Sequence, residues 1–176
     1  MACEIPMKAH AHRADDIFTA IRIAKEFDLK LTLDHCTESA LIADELVKEG
    51  YPAFVGPTMS NISKYELLSK SFNTPAILNS AGVDIAIITD VGVIQIQYLP
   101  LVAGMAVKSG LPYEEAWEAI TINPATLTGI GDRVGSLEAG KDGDVVIWQA
   151  DPLSEVCAES YITIIDGKIV YSAEQN

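Results

Sequence analysis

Short apolar runs alternate with amphipathic stretches through most of the chain. The runs predict four β-strands, over residues 7–10, 29–33, 53–55 and 83–89. Helical spacing of apolar residues predicts helices between and after the strands, the later ones over 65–71, 75–81, 98–108 and 113–121. Because parallel strands need long crossover connections, usually helices, this alternation favours an α/β fold with a parallel sheet.

The first two helices have recognisable boundary residues. Asp15 is the expected cap of the first helix, and Thr37 or Ser39 is the expected cap of the second, which should end at Gly50. The apolar residues expected to face the core are Ile17, Ile21, Ala24 and Phe27 in the first helix and Ile42, Leu46 and Val47 in the second. Each helix should therefore pack one face against the sheet.

The sequence pattern changes after Gly131 to short strands separated by glycine-rich turns. Strands are predicted over 135–137, 144–148, 161–165 and 168–171. Asp166-Gly167 is a typical two-residue hairpin turn between the last two. We therefore expect two units, an α/β part over residues 1–130 and a small β domain segment over 131–176.

Length and charge limit the classes of protein to which the chain can belong. At 176 residues it is shorter than a complete eightfold barrel, which usually needs about 250. A hydrophobic content of 49% predicts a folded core. The net charge of −13, with 12 scattered basic residues, argues against nucleic acid as a partner.

Cysteine usage and the terminal sequence bear on location. Cys3, Cys36 and Cys157 are odd in number and far apart, so a disulfide framework is not indicated and a reducing, cytoplasmic location fits best. The opening MACEIPMKAH lacks the pattern of a signal peptide. No apolar stretch reaches 18 residues, so no membrane span is expected.

Three polar side chains follow predicted strands at equivalent places. His10 ends the first strand, His35 follows the second and Asp90 follows the fourth. Active-site groups of parallel α/β folds gather at the carboxyl ends of strands. Imidazole and carboxylate groups are suitable ligands for a zinc-like divalent ion. The coincidence predicts a metal site, although each residue alone has an ordinary explanation as a hydrogen-bonded histidine or a turn aspartate.

Neighbouring residues leave alternatives open. His12 shares a strand face with His10, so either can be the ligand. Arg13 and Asp15 can orient a substrate or support the histidine, or can be an exposed arginine and a helix cap. A nucleophilic pair of Cys36 with His35 is disfavoured because adjacent side chains diverge at a strand end. The GIGDRVG segment neither follows a strand nor opens a helix, so a tight turn explains it better than a phosphate loop.

Four segments, in order, resemble the amidohydrolase superfamily, in particular its imidazolonepropionase-related and prolidase-like branch. KAHAHRADDI resembles the fifth barrel strand with its metal-binding histidine, and TLDHCTES the sixth strand with the next one. AIITD resembles the eighth strand, whose aspartate contacts the metal and accepts a proton. ITINPATLTGIGDRVGSLEAGKDGDVVIW resembles the helix and β-domain signature that follows the barrel. The likeness covers nearly the whole chain, whereas a flavodoxin-like binding domain would leave these polar residues and the β tail unexplained.

The resemblance implies residue roles and a reaction. His10, with His12 as the alternative, His35 and Asp90 would bind a divalent metal, zinc being our first choice. Asp90 would also be the catalytic proton acceptor, and His12 and Arg13 would contact the substrate. The implied reaction is hydrolysis of a carbon–nitrogen bond in a small-molecule amide by metal-activated water.

The resemblance also implies missing parts. The family's His-x-His pair on the first barrel strand and the Lys or Glu of the fourth have no counterpart here. The expected fold is therefore the C-terminal half of a TIM-like (β/α)8 barrel, strands 5 to 8, followed by part of a small β-sandwich domain. Four strands cannot close a barrel alone, so we expect a homo-oligomer or a missing N-terminal half. The alternative function is a catalytically silent half-barrel that persists as an oligomer.

Overall fold

Four strands form one parallel sheet in a computed structural model that describes residues 5–175, with Cys3 outside that range. The strands are β1 (Met7–Ala11), β2 (Leu31–His35), β3 (Ala53–Val55) and β4 (Ile85–Ile87). They lie in the order β1-β2-β3-β4, and every neighbouring pair is parallel. The prediction of an α/β fold with a parallel sheet is confirmed.

Helices connect the strands and continue beyond the last one. They are α1 (Ala14–Glu26), α2 (Ala43–Glu49), α3 (Thr74–Ala81), α4 (Leu99–Lys108), α5 (Tyr113–Glu118) and α6 (Ile122–Leu127). Helix α1 buries the predicted Ile17, Ile21 and Ala24, and α2 ends at Gly50 in the left-handed conformation. Among residues 5–175, no helix combines the length and apolar character needed to cross a bilayer.

The two faces of the parallel sheet differ in chemistry. One face buries Leu33, Val55 and Ile85 in a core shared with the helices. On the other face, strand register aligns His10 with Asp34 and Asp34 with Phe54. Lys8 extends across this second face, where it is 3.0 Å from Asp34 and 4.0 Å from the centre of the Phe54 ring. Charged groups therefore lie on the face that is turned away from the helices.

Several predicted boundaries were wrong. The helix expected over 65–71 is a short 3₁₀ turn, Tyr65–Leu67, and the helix expected over 113–121 ends at Glu118 and is followed by the unpredicted α6. The strand expected over 83–89 is shortened to β4. Short helices and strand ends depend on tertiary contacts more than on local propensity, which explains these differences.

Expected helix caps and core contacts also differ in detail. The cap of α1 is Arg13 rather than Asp15, and the Glu38 carboxylate accepts a hydrogen bond from the Ala14 amide at 2.9 Å. Phe27 and Val47, expected inside, are exposed. Phe27 lies at the end of α1, beyond the part of that helix that packs on the sheet. The capping group thus comes from the next loop, which short-range spacing cannot reveal.

The tail forms a three-stranded antiparallel sheet. Its strands are β5 (Val145–Trp148), β6 (Ser160–Ile165) and β7 (Lys168–Ser172), in sequence order. Asp166 and Gly167 both have positive φ, as a two-residue hairpin of the predicted kind requires. The strand expected over 135–137 is wrong, because that segment forms bends without pairing. Leu153, between β5 and β6, is buried in the core of the α/β part.

Contact between α4 and the tail generates a test of the fold. A Cβ atom at Gly104 would lie 1.9 Å from the Leu153 carbonyl oxygen. In a helix interior, alanine is more stabilising than glycine by about 1 kcal/mol. Because of this clash, we nevertheless expect Gly104→Ala to lower the free energy of unfolding by about 1–3 kcal/mol. Urea unfolding measures this free energy. Lys108→Ala, in the same helix and exposed, is the control, and an unchanged or raised stability for Gly104→Ala would contradict the packing.

Candidate metal centre

The carboxyl ends of the four parallel strands are level with one another. Ala11 pairs in register with His35, His35 with Val55, and Val55 with Ile87. The loops that leave these ends surround a pocket of about 450 Å³. Four of the predicted site residues line it: His10, His12, His35 and Asp90. The pocket is thus at the place where parallel α/β folds carry their active sites.

The three histidines of the chain form one cluster. The ring centres of His10 and His35 are 4.1 Å apart, and the His12 ring centre is 4.9 Å from each of the others. The Nε2 atoms of His10 and His12 are separated by 3.1 Å. Imidazole rings from two adjacent strands therefore converge on one point of the pocket.

His35 joins this cluster through an unusual backbone conformation. Strand alternation would place His35 on the face opposite His10, because His10 pairs with Asp34. His35 and Cys36 instead have φ angles of 75° and 49°, in the left-handed region that non-glycine residues rarely adopt. The departure from extended backbone brings the His35 ring beside His10, and such strain is concentrated at functional sites.

Hydrogen bonds orient two of the rings. His35 donates from Nδ1–H to the Gly56 carbonyl oxygen at 2.7 Å, so the lone pair of the neutral ring is on Nε2. His12 Nδ1 is 2.8 Å from the Thr37 hydroxyl oxygen. Metal-binding histidines are usually held in this manner through the nitrogen that does not bind the metal.

The cluster favours neutral imidazoles at His10 and His12. Burial lowers the pKa of His12 to about 4, with repulsion from His35 as the next cause. The pKa of His10 is also lowered, by desolvation first and by His35 second, although the ring can be reached through the pocket. A neutral imidazole is the form that binds a metal, so binding here would displace little proton at neutral pH.

Glu66 also reaches the histidines, and it was not predicted as a site residue from the sequence. It belongs to the 3₁₀ turn after β3, and its Oε1 is 3.6 Å from His12 Nε2. Ligand atoms of His10, His12 and Glu66 all lie within 4.8 Å of one another. Lys64 forms an ion pair with Glu66 and lowers the pKa of its carboxyl group. The sequence predicts only a helix over 65–71 here, and that prediction does not indicate that Glu66 lies over the strand ends.

Asp90 lines the same pocket, three residues beyond the end of β4. Its side chain is exposed, and its φ of 50° is left-handed, as at His35. The negative charge of Asp90 acts on His10 and opposes the lowering of the His10 pKa. Asp90 is thus close enough to His10 for electrostatic interaction, although it is not part of the compact group that contains Glu66.

Arg13 and Cys36 lie outside the pocket lining. Arg13 Nε donates to Asp15 at 2.9 Å, and both side chains are exposed. A substrate contact by Arg13 stays a prediction. The Cys36 thiol is buried and donates to the Leu33 carbonyl oxygen, and burial raises its pKa. A protonated, buried thiol cannot attack a substrate, in agreement with the low weight given to a Cys-His pair.

One wall of the pocket is the loop that follows β3. Lys70 Nζ donates to the Ser60 hydroxyl at 2.8 Å, to the Asn61 carbonyl at 3.2 Å and to the Ser60 carbonyl. These bonds use all three ammonium protons of Lys70 on the loop. At the start of the loop, a Cβ at Gly56 would lie 2.2 Å from the Ile88 carbonyl oxygen. The wall is therefore fixed at both ends.

The donor set suits a divalent metal of the zinc type. Imidazole nitrogens with one or two carboxylates are the usual protein ligands of such ions. The hydrogen bonds of His35 and His12 engage their Nδ1 atoms and leave their Nε2 atoms available to a metal. The residues present therefore fit a metal ion in their chemistry.

The fold and the site together define a class of protein: a parallel α/β protein with imidazole and carboxylate groups at the ends of its strands. The profile of the amidohydrolase family matches residues 6–170. The chain belongs to the amidohydrolase family, and the resemblance seen in the sequence is confirmed.

Individual relatives and solved structures agree with this assignment. An imidazolonepropionase of Maricaulis maris is 31% identical over 161 residues, which are 88% of this chain and 38% of that protein. The amidohydrolase tasK of Hapsidospora irregularis is 27% identical over 85% of this chain and 16% of its own length. The crystal structure of an amidohydrolase from Thermotoga maritima is 39% identical with a TM-score of 0.91, covering 95% of this chain and 43% of that one. The chain thus spans less than half the length of these proteins.

The buried His12 predicts a specific pH dependence. Its pKa is about 4 in the folded chain against an ordinary 6.5, so its stabilising contribution is present above pH 6.5 and is lost as pH falls towards 4. Between pH 7 and 5 this group should remove about 2 kcal/mol of unfolding free energy. Urea unfolding with a chelator measures it. In His12→Gln, the fall in unfolding free energy between pH 7 and 5 should be smaller than in the parent by that amount. An equal fall in both proteins would refute the lowered pKa of His12.

Proposed function

We propose that the chain is part of a metal-dependent hydrolase of carbon–nitrogen bonds. The observation that carries the proposal is the convergence of three imidazole rings with Asp90 in one pocket of an amidohydrolase family member. The substrate class is a small-molecule amide, either a cyclic amide or a dipeptide-like one. Support for this class comes from the similarity to the Maricaulis maris imidazolonepropionase.

His10, His35 and Asp90 are the metal ligands in this proposal, with zinc as the first choice. His10 and His35 are adjacent across β1 and β2, with ring centres 4.1 Å apart. The hydrogen bond to Gly56 directs His35 Nε2 away from the carbonyl and fixes its tautomer. His12 lines the same pocket, and in this proposal it contacts the substrate, with the alternative that it replaces His10 as the metal ligand.

The reaction requires this chain to accept one proton and then to pass it on. A bound divalent metal supplies Lewis-acid polarisation of the scissile carbonyl and lowers the pKa of a water molecule. Asp90 accepts a proton from the attacking water as its oxygen bonds to the carbonyl carbon. It then donates that proton to the leaving nitrogen as the carbon–nitrogen bond breaks. The exposed carboxylate of Asp90 at the pocket suits both transfers.

The fold proposed for the whole protein is a TIM-like (β/α)8 barrel, of which β1 to β4 are strands 5 to 8. Sequential parallel order and the polar face carrying Lys8 and Asp34 support this assignment, since that face would be the barrel interior. In the proposal, residues 1–130 are the barrel half and residues 131–176 belong to a small β-sandwich domain. Four further strands would come from an N-terminal half or from another copy of the chain.

A catalytically silent oligomer is the second candidate. Apolar side chains of the tail sheet are exposed, among them Ile165, Ile169 and Val170. Such a surface favours association. Two free thiols, at Cys36 and Cys157, fit the cytoplasmic location that we propose for either candidate.

Removal of the proposed proton acceptor tests the hydrolase function. The chain, alone and combined with the N-terminal half of a related amidohydrolase, is loaded with zinc and assayed against cyclic amides and dipeptides. Asp90→Asn should lower kcat by about 10²- to 10⁴-fold because the carboxylate can no longer accept a proton. Asp84→Asn, at the opposite end of β4, is the matched control and should keep full activity.

Two results would count against the hydrolase. Equal turnover for Asp90→Asn and the parent would remove Asp90 from the reaction. No turnover by either assembly, together with a monodisperse oligomer of the chain in light scattering, would favour the silent half-barrel.

A further inference from the structure

We propose that His10, His12 and Glu66 form a divalent-cation site of their own, and that Lys64 competes with the cation for Glu66. This set shares His10 with the proposed catalytic ligands and differs from them in its other two members. It lies within residues 5–175 and needs no further barrel strand. The inference goes beyond the proposed function, because it concerns which residues bind an ion in the chain alone, where the two ligand sets are alternatives, and it is tested without a hydrolase assay.

The distances between the ligand atoms are the first support for the proposed cation site. The Nε2 atoms of His10 and His12 are 3.1 Å apart, and Glu66 Oε1 is 3.6 Å from His12 Nε2. Two ligands about 2.1 Å from one tetrahedral zinc are about 3.4 Å apart, which is close to both separations. All three ligand atoms lie within 4.8 Å of one another. Small side-chain movements therefore suffice to place one ion between them.

Contacts with neighbouring residues hold the His12 and Glu66 side chains in position before any cation binds. His12 is 5% exposed, and its Nδ1 is held by the Thr37 hydroxyl, so the ring cannot turn without breaking a buried hydrogen bond. Glu66 is in a 3₁₀ turn whose next residue, Leu67, is buried. These contacts limit the freedom of both side chains and reduce the entropy lost on binding.

Lys64 gives the site a built-in competitor. Its ammonium group forms an ion pair with the Glu66 carboxylate. An incoming dication must displace this ammonium from Glu66 and is repelled by it. Removal of the Lys64 charge should therefore strengthen cation binding, whereas loss of Glu66 should weaken it.

The ligand types define which cations fit. Two imidazoles with one carboxylate favour Zn²⁺, Co²⁺ or Ni²⁺ over the oxygen-preferring Mg²⁺ and Ca²⁺. His10 Nε2 has a single lone pair, so one ion cannot be held there while another occupies the His10, His35 and Asp90 set through the same atom. We therefore expect one equivalent of bound metal.

The test is a titration of the metal-free chain with Co²⁺, followed by its visible absorption and by elemental analysis after dialysis. The parent should bind one equivalent. Glu66→Gln should raise the Kd at least about tenfold, and Lys64→Met should lower it about two- to fivefold. Glu114→Gln and Lys48→Met, both exposed on other helices, are controls for the change of net charge. Circular dichroism checks that each variant is folded.

Two results would overturn the inference. Binding that is unchanged in both Glu66→Gln and Lys64→Met would assign the ion to the proposed catalytic set, and the proposed function would stand. No bound Co²⁺ in the parent would also overturn it. In that second case the proposed function is still tested by the assay with the added N-terminal half.

Discussion

Parallel hydrogen bonding in register between neighbouring strands is the constraint on which the site depends. The pairing of Ala11 with His35 and of His35 with Val55 makes the strands end at one level. The same pairing continues into the loops, where the Cys36 amide donates to the Ala11 carbonyl and the Glu38 amide to the His12 carbonyl. A slip of one residue would turn His10 towards the helices and leave the pocket without it.

The order of the elements and the presence of His10, His12, His35 and Asp90 in one pocket could be predicted from the sequence. Apolar runs located β1 to β4, and the polar residues that interrupt their ends located His10, His35 and Asp90. Glu66 could not be predicted, because it reaches the histidines only when the irregular loop after β3 folds back over the strand ends. The left-handed backbone of His35 is likewise set by tertiary contacts, such as its hydrogen bond to Gly56.

Electrostatics explains why this cluster is suited to a cation. Burial and mutual repulsion disfavour protonation of His10 and His12, while Glu66 and Asp90 oppose that effect. The pocket therefore holds neutral imidazoles of His10 and His12 beside carboxylates, with Lys64 paired to Glu66. A divalent ion would bind the lone pairs and balance the carboxylate charge together, which no single ammonium group can do.

The most direct measurement is anomalous diffraction at the zinc absorption edge from crystals of the chain grown with one equivalent of Zn²⁺. A metal centre formed by the histidine cluster predicts one strong peak in the pocket, about 2.0–2.1 Å from at least two imidazole nitrogens. A pocket without a peak, or zinc bound only at surface carboxylates elsewhere on the chain, would contradict it.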